Sequence, residues 1–216
     1  MPLDLNKTFN GVIDTSHHNG RIDLKRAQED GIAGVIQKAT QGLSYVDPTL
    51  KTNRKKADNA GLLWGAYHFG TGSDGVGQAD HFLDTVQPAA GTLLVLDLEA
   101  NPQGPNMTLV EARAFVTHIK EITGRTPALY SGHYIKALLG AQTDTVLAEC
   151  PFWLAQYGPT PVVPTNWAKW ILWQYTDGGL GPEPHTVTGV GRCDRDRFNG
   201  TEDELRAFWA GVGLPQ

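Results

Sequence analysis

An α/β barrel is the fold this sequence predicts, and three observations predict it. Eight short apolar runs recur along 216 residues. Amphipathic segments separate the first five runs. No linker, internal repeat or low-complexity tract divides the chain. Strand–helix alternation implies parallel strands joined by right-handed crossovers, and α/β barrels of one domain reach this length. The expected strands are 11–16, 34–40, 63–70, 92–99, 127–131, 152–157, 171–176 and 192–198. They make an irregular TIM-like β/α barrel, with five β/α units followed by three further strands. An open doubly wound sheet is the alternative. Its glycine signatures are absent: Gly70-Thr71-Gly72-Ser73-Asp74-Gly75 does not fit G-x-G-x-x-G, and no G-x-x-x-x-G-K loop occurs.

The helices follow in order. Segment 22–30 carries Ile22, Leu24 and Ala27 among charges. Segment 49–60 is basic and ends before Gly61, a C-cap signal. Segment 78–86 sets Ala79, Phe82, Leu83 and Val86 on one face. Segment 108–123 opens with a capping box, Thr108 to Glu111, and stops at Gly124. Segment 134–148 is weaker and is interrupted by Gly140. The connection 158–169 holds Pro159, Pro161 and Pro164 without helical period, and 177–191 is rich in Gly and Pro; both read as loops. A last helix, 201–209, again opens with a capping box, Thr201 to Glu204.

Composition narrows the function. Hydrophobic content of 40% suffices for a sizeable core, and a net charge of -5 argues against nucleic acid or an anionic membrane as partner. No apolar run approaches the ~20 residues needed to span a bilayer. The start, Met1-Pro2-Leu3-Asp4-Leu5-Asn6-Lys7, lacks the basic and apolar stretches of a signal peptide, so synthesis in a cytoplasm without one is the expectation. Cys150 and Cys193 are too few for a disulfide framework or a four-thiolate zinc site, and free thiols are expected.

The chemistry starts at Leu93-Leu94-Val95-Leu96-Asp97-Leu98-Glu99. This is a core strand ending in two acids. Period-two alternation sends Asp97 and Glu99 to the same side. Repulsion and desolvation push one pKa up and leave the other group ionised, which is what acid/base cleavage of a glycosidic bond requires. Alone, this D-x-E reads as well as the polar rim of a strand, paired with Arg or Lys. The other strand ends shift that balance, because the working face of a β/α barrel is the C-terminal one. There lie Asp14 to His18, Tyr67-His68-Phe69, Tyr130-Ser131, then Trp153, Gln156 and Tyr157, then Trp173, Gln174 and Tyr175, then Asp194 and Asp196. Acids with aromatic and amide side chains on one rim suit a carbohydrate cleft.

Each group also has a plainer reading. The aromatic residues can be packing, His68 a satisfied buried histidine, and Asp194 and Asp196 partners of Arg192, Arg195 or Arg197. Asp14 with His17 and His18 could bind a metal, yet adjacent strand residues face opposite ways. One of the two histidines therefore reads as a hydrogen-bonding loop residue.

Taken in order, several segments resemble the glycoside hydrolase family 25 lysozymes of the N,O-diacetylmuramidase type. They are Gly11-Val12-Ile13-Asp14-Thr15-Ser16-His17-His18-Asn19-Gly20, Gly65-Ala66-Tyr67-His68-Phe69, Leu96-Asp97-Leu98-Glu99, Trp153-Leu154-Ala155-Gln156-Tyr157, Trp173-Gln174-Tyr175 and Asp194-Arg195-Asp196-Arg197-Phe198-Asn199-Gly200. The resemblance spans about 11 to 200 and implies the same irregular barrel as the strand count. It implies Glu99 as general acid, Asp97 as the second, stabilising or assisting carboxylate, and Asp14 and Asp194 as the other acids of the cleft. Tyr45, Tyr67 and Tyr130 match positions that line the sugar site. Phe69, Trp153, Gln156, Trp173 and Gln174 complete the expected substrate contacts. The implied substrate is bacterial peptidoglycan, cut at the β-1,4 bond between N-acetylmuramic acid and N-acetylglucosamine, with no metal or other cofactor.

Two positions depart from the family pattern. Asp196 stands where an amide is usual, adding charge beside Asp194, and His18 replaces an aromatic or amide. The whole chain, 1–216 with a core of about 9–211, is expected to be one catalytic domain without a separate wall-binding domain. A monomer reaching the wall through a holin, as phage endolysins do, or through a secretion system is the expected context. Competing classes are a catalytically inactive carbohydrate-binding barrel, a metal-dependent hydrolase using Asp14, His17 and His18, and a chitinase-like hydrolase. The last expects acids where Leu93, Leu94 and Val95 stand.

Overall fold

The computed structural model describes residues 4–211; 1–3 and 212–216, the ends of the expected 1–216 domain, lie outside the described residues. The barrel strands are β1 (Phe9–Thr15), β2 (Gly34–Gln41), β3 (Leu63–Phe69), β4 (Thr92–Asp97), β5 (Ala128–Ser131), β6 (Phe152–Ala155), β7 (Leu172–Thr176) and β8 (Asp194–Phe198). Each pairs with the next, and β8 and β2 both pair with β1, which closes the ring. The pairs from β1 to β7 are parallel. Strand β8, the last of the three strands expected without intervening helices, is antiparallel to both neighbours. The connection 177–193 holds no helix, and β8 returns beside β7 as a hairpin partner would. A two-stranded ribbon, Thr186–Val187 with Gly191–Arg192, occupies that connection instead.

The helices are α1 (Leu24–Glu29), α2 (Leu50–Ala60), α3 (Gly75–Val86), α4 (Leu109–Thr123), α5 (His133–Leu139) and α6 (Glu202–Trp209). Both capping boxes form, Thr108 with Glu111 and Thr201 with Glu204. Gly61 and Gly124 end α2 and α4 in the left-handed conformation, at φ 67° and 70°. Helix α3 starts earlier than its apolar face suggests, because Asp74 accepts from the amides of Val76 and Gly77. Helix α5 is shorter than expected. It stops at Gly140, and only a 3-10 turn, Leu147–Glu149, follows before β6.

Strand alternation sorts the core into two layers. On β4, Leu94, Leu96 and Leu98 pack outward among Phe82, Phe115, Val116 and Ile119 of the helices. Val95 packs in the lumen with Val12, Ile36, Tyr130, Trp153 and Leu172. Asp97 and Glu99 continue the inward series. Helix α6 closes the opposite, N-terminal end: the Trp209 indole donates to the Trp64 carbonyl at 2.8 Å. A Cβ on Gly34 or Gly65 would come within 3.3 or 3.2 Å of its ring, so glycine permits this approach. Trp209→Ala is expected to cost about 3–5 kcal/mol, read as a lower midpoint in urea unfolding; an unchanged midpoint would refute the plug.

His68 faces outward, buried against Phe82 and Phe115 and held by Thr40 at 2.8 Å and Gln78 at 3.1 Å. Burial drops its pKa to about 3, so it stays neutral. Cys150 and Cys193 are buried free thiols, both pushed up to about 12 by burial. No described helix is long and apolar enough to cross a membrane.

Candidate active site

A cavity of about 180 Å³ opens at the C-terminal end of the strands. Asp14 reaches it from β1, Tyr67 from β3, Asp97 and Glu99 from the end of β4, and Tyr130 from β5. Trp153 comes from β6, Tyr157 from just beyond it, Gln174 from β7 and Asp194 from β8. All four expected acids thus meet in one place. The backbone between Asp97 and Glu99 is fixed from both sides: the Leu98 amide donates to the Tyr130 carbonyl at 2.9 Å, and the Ser131 hydroxyl donates to the Leu98 carbonyl at 2.6 Å.

Gln174 is the hub of the cavity wall. Its Oε1 accepts from the hydroxyls of Tyr130 at 2.7 Å and Tyr157 at 2.9 Å, and its Nε2 donates to Asp14 at 2.7 Å. The Trp153 indole packs edge-on to Tyr130 and donates to Asp196 Oδ1 at 2.7 Å. The arginines flanking the acids are used elsewhere. Arg192 donates to the Gly178 carbonyl, Arg195 to the Thr186 carbonyl and Arg197 to Thr8.

The acids form two sets. Burial, then the charges of Asp194 and Asp196, raise Asp14 well above the carboxylate range, although the Gln174 bond opposes this. Burial foremost also raises Asp196, which is fully inaccessible, and lifts Asp194 to about 6 with help from Asp177. In the second set, burial and then the Glu99 charge raise Asp97, and burial raises Glu99; the Lys38 ammonium opposes both shifts. Asp97 and Glu99 therefore titrate as a pair that keeps a proton above the ordinary carboxylate range. Asp97 is the deeper member at 5% exposed, and its Oδ1 has no hydrogen-bond partner among the described residues. The shared proton belongs to the pair, and whichever carboxyl a bound group stabilises as the anion leaves the proton with the other.

Two grooves lie near the cavity, and the second shares Glu99 and Tyr157 with it. One, of about 570 Å³, is lined by Lys38, Tyr45, Phe69, His17, His18 and Asn101 among others. Lys38 Nζ sits 4.9 Å from the Phe69 ring centre and 5.6 Å from that of Tyr45, and bonds Gln41 at 2.7 Å. His17 turns to Asp47, with Nδ1 2.9 Å from its Oδ2, as a loop-bracing residue rather than a partner of Asp14. The other groove, of about 630 Å³, runs from Glu99 and Tyr157 past His133, Lys136 and Gln156 to Leu180.

Of the expected substrate contacts, Tyr67, Tyr130, Trp153 and Gln174 line the cavity, and Tyr45 and Phe69 line the first groove. One expectation needs correction. Trp173 is 1% exposed and lies in the outer core, its indole donating to the Gln156 carbonyl at 2.7 Å; on β7 it points opposite to Gln174. Gln156 lines the second groove and also braces the following loop through the Thr160 carbonyl at 2.8 Å and the Val162 amide at 3.1 Å. Lys38 was not among the expected site residues. Its signal was a lone cation inside an otherwise uncharged core strand, Gly34-Val35-Ile36-Gln37-Lys38-Ala39-Thr40.

A closed β/α barrel with paired carboxylates at its strand ends, in a cavity flanked by grooves, has the architecture of a glycoside hydrolase. The chain belongs to glycosyl hydrolases family 25, whose family model matches residues 13–183. It is similar to Lysozyme M1 of Streptomyces globisporus, at 31% identity over 91% of this chain and 70% of that protein. Among solved structures it resembles the bacterial lysozyme of Streptomyces coelicolor, with TM-score 0.83 and 32% identity over 95% of this chain and 98% of that one. The family 25 lysozyme of Aspergillus fumigatus superimposes with TM-score 0.80 and 30% identity, over 94% of this chain and 99% of that one.

Proposed function

We propose that this glycoside hydrolase is a muramidase acting on bacterial peptidoglycan. It would cleave the β-1,4 bond after N-acetylmuramic acid, with Glu99 as general acid and Asp97 as the carboxylate that orients the N-acetyl group. The observation that carries this reading is that Asp97 and Glu99 line one cavity as a carboxyl pair whose pKa values burial raises. An acetamido N–H donating to the Asp97 carboxylate would stabilise its charged form and leave the shared proton with Glu99. Glu99 then stands protonated beside the leaving oxygen, and the anionic Asp97 offsets the positive charge developing at the sugar. Asp14, held by Gln174, and Asp194 beside it would tune the field at the far wall.

Digestion of purified cell walls tests the proposal. Turbidity should fall, and borohydride reduction of the products should label muramic acid ends. Glucosamine ends, or no new reducing ends at all, would refute it.

Lys38 gives this site a signed pH dependence. The ammonium lowers the pKa values of Asp97 and Glu99. Removing it in Lys38→Met raises both, so both limbs of the pH–rate bell should move to higher pH. A bell that stays in place or moves to lower pH would exclude this role.

A further inference from the structure

We infer that the groove running from Glu99 past Lys136 to Leu180 binds a carboxylate carried on the glycan, with the Lys136 ammonium as its counter-charge. The inference rests on the muramidase reading for its substrate class. Glu99 and Tyr157 line both the catalytic cavity and this groove, so a chain bound at the cavity continues into it. Glu99 delivers the proton to the leaving oxygen, which places the groove on the leaving-group side of the cut.

The groove walls are not those of a site for neutral sugar alone. Lys136 and His133 stand on α5, opposite Leu180, which is 63% exposed, and Tyr157, which is 41% exposed. Lys136 is half-buried, and its hydrogen bond is a long one, 3.5 Å to Gln156 Oε1. That oxygen already accepts from the Val162 amide at 3.1 Å. Elsewhere on the chain, Lys25, Arg54, Arg113, Lys120 and Arg206 each pair with a carboxylate. Lys38, the cation of the other groove, is held at 2.7 Å by Gln41 and lies over two rings. Lys136 is thus the cation of this groove, held only by one long hydrogen bond and with donors to spare among the described residues. Two carboxylates on a wall glycan fit this chemistry: the lactyl carboxylate of a peptide-free muramic acid, and the carboxylates of a stem peptide.

The test compares wild type, Lys136→Gln and Lys136→Arg on three soluble glycans. The first carries stem peptides, the second has been stripped by an amidase to bare lactyl groups, and the third has those carboxylates converted to neutral amides. A half-exposed ion pair is worth up to ~1 kcal/mol. Lys136→Gln should therefore raise KM roughly three- to fivefold on carboxylate-bearing glycan, with kcat unchanged. It should leave the neutral glycan unaffected, and Lys136→Arg should restore binding. A rise with the peptide-bearing glycan only assigns the stem peptide; a rise with the stripped glycan assigns the lactyl group. Equal effects on charged and neutral glycans, or no effect, would overturn the inference. The same differences measured as Kd by calorimetry do not need turnover. Charged fragments that bind through Lys136 yet are never cut would sink the muramidase reading and leave this one standing.

Discussion

Glu99→Gln is expected to lower turnover of cell-wall glycan by about 10²–10⁴-fold, the usual contribution of a general acid. The amide keeps the shape of the carboxyl and removes only the transferable proton. Glu99 is the less buried member of the pair and bonds to no cation at short range, so the fold should not suffer. Its raised pKa gives the sign of any stability change. An acid with a folded pKa above its unfolded value binds more protons when folded, so its ionisation destabilises the fold as pH rises through that window. Glutamine has no such ionisation, and the variant should melt at or slightly above the wild-type temperature near neutral pH. Kd for glycan fragments should stay within a few-fold. Loss of activity together with loss of folding, or retention of activity, would each contradict the assignment.

Asp97→Asn is the second large effect. Here the lost group is the charge that stabilises the transition state and orients the substrate amide. Removing one preorganised electrostatic partner costs on the order of 10²–10³ in kcat. The pH profile carries the sharper signature. In the wild type the acid and alkaline limbs belong to the coupled pair, one deprotonation needed and the next one fatal. With asparagine only Glu99 remains to titrate, so the acid limb assigned to the pair should flatten while the alkaline limb persists. An acid limb that survives unchanged would move it to another group, Asp194 at about 6 being the first to examine.

Much of this site is legible in the sequence because one rule, side-chain alternation along a strand, fixes which residues enter the lumen. Leu94, Leu96 and Leu98 outward force Asp97 and Glu99 inward. The same rule places Tyr67 and His68 on opposite sides. Applied to β7 it also separates Trp173 from Gln174, and expecting both in the cleft overlooked it. Other features depend on partners distant in sequence. The direction of β8 is one: two helix-free connections, 156–171 and 177–193, lead one to a parallel strand and the other to an antiparallel one, which their composition does not distinguish. Gln156 lies past the end of β6, where alternation no longer applies and loop contacts set the direction. Lys38 reads as an anomaly in a core strand, but its place beside Asp97 and Glu99 arises only once β2 and β4 flank β3 in the closed ring. The way Asp97 and Glu99 share their proton is a matter of burial depth, which two residues on one face of one strand do not reveal.

Carboxyl-carbon NMR titration of Asp97 and Glu99, with and without a bound N-acetylmuramyl fragment, tests this shared proton most directly. Without the fragment the pair should retain a proton above the ordinary carboxylate range. With it bound, the Asp97 signal should become that of a carboxylate and Glu99 should hold the proton towards higher pH. Two independent titrations at ordinary carboxylate values, or an Asp97 that stays protonated when the fragment binds, would contradict the acid–carboxylate division of labour proposed for this site.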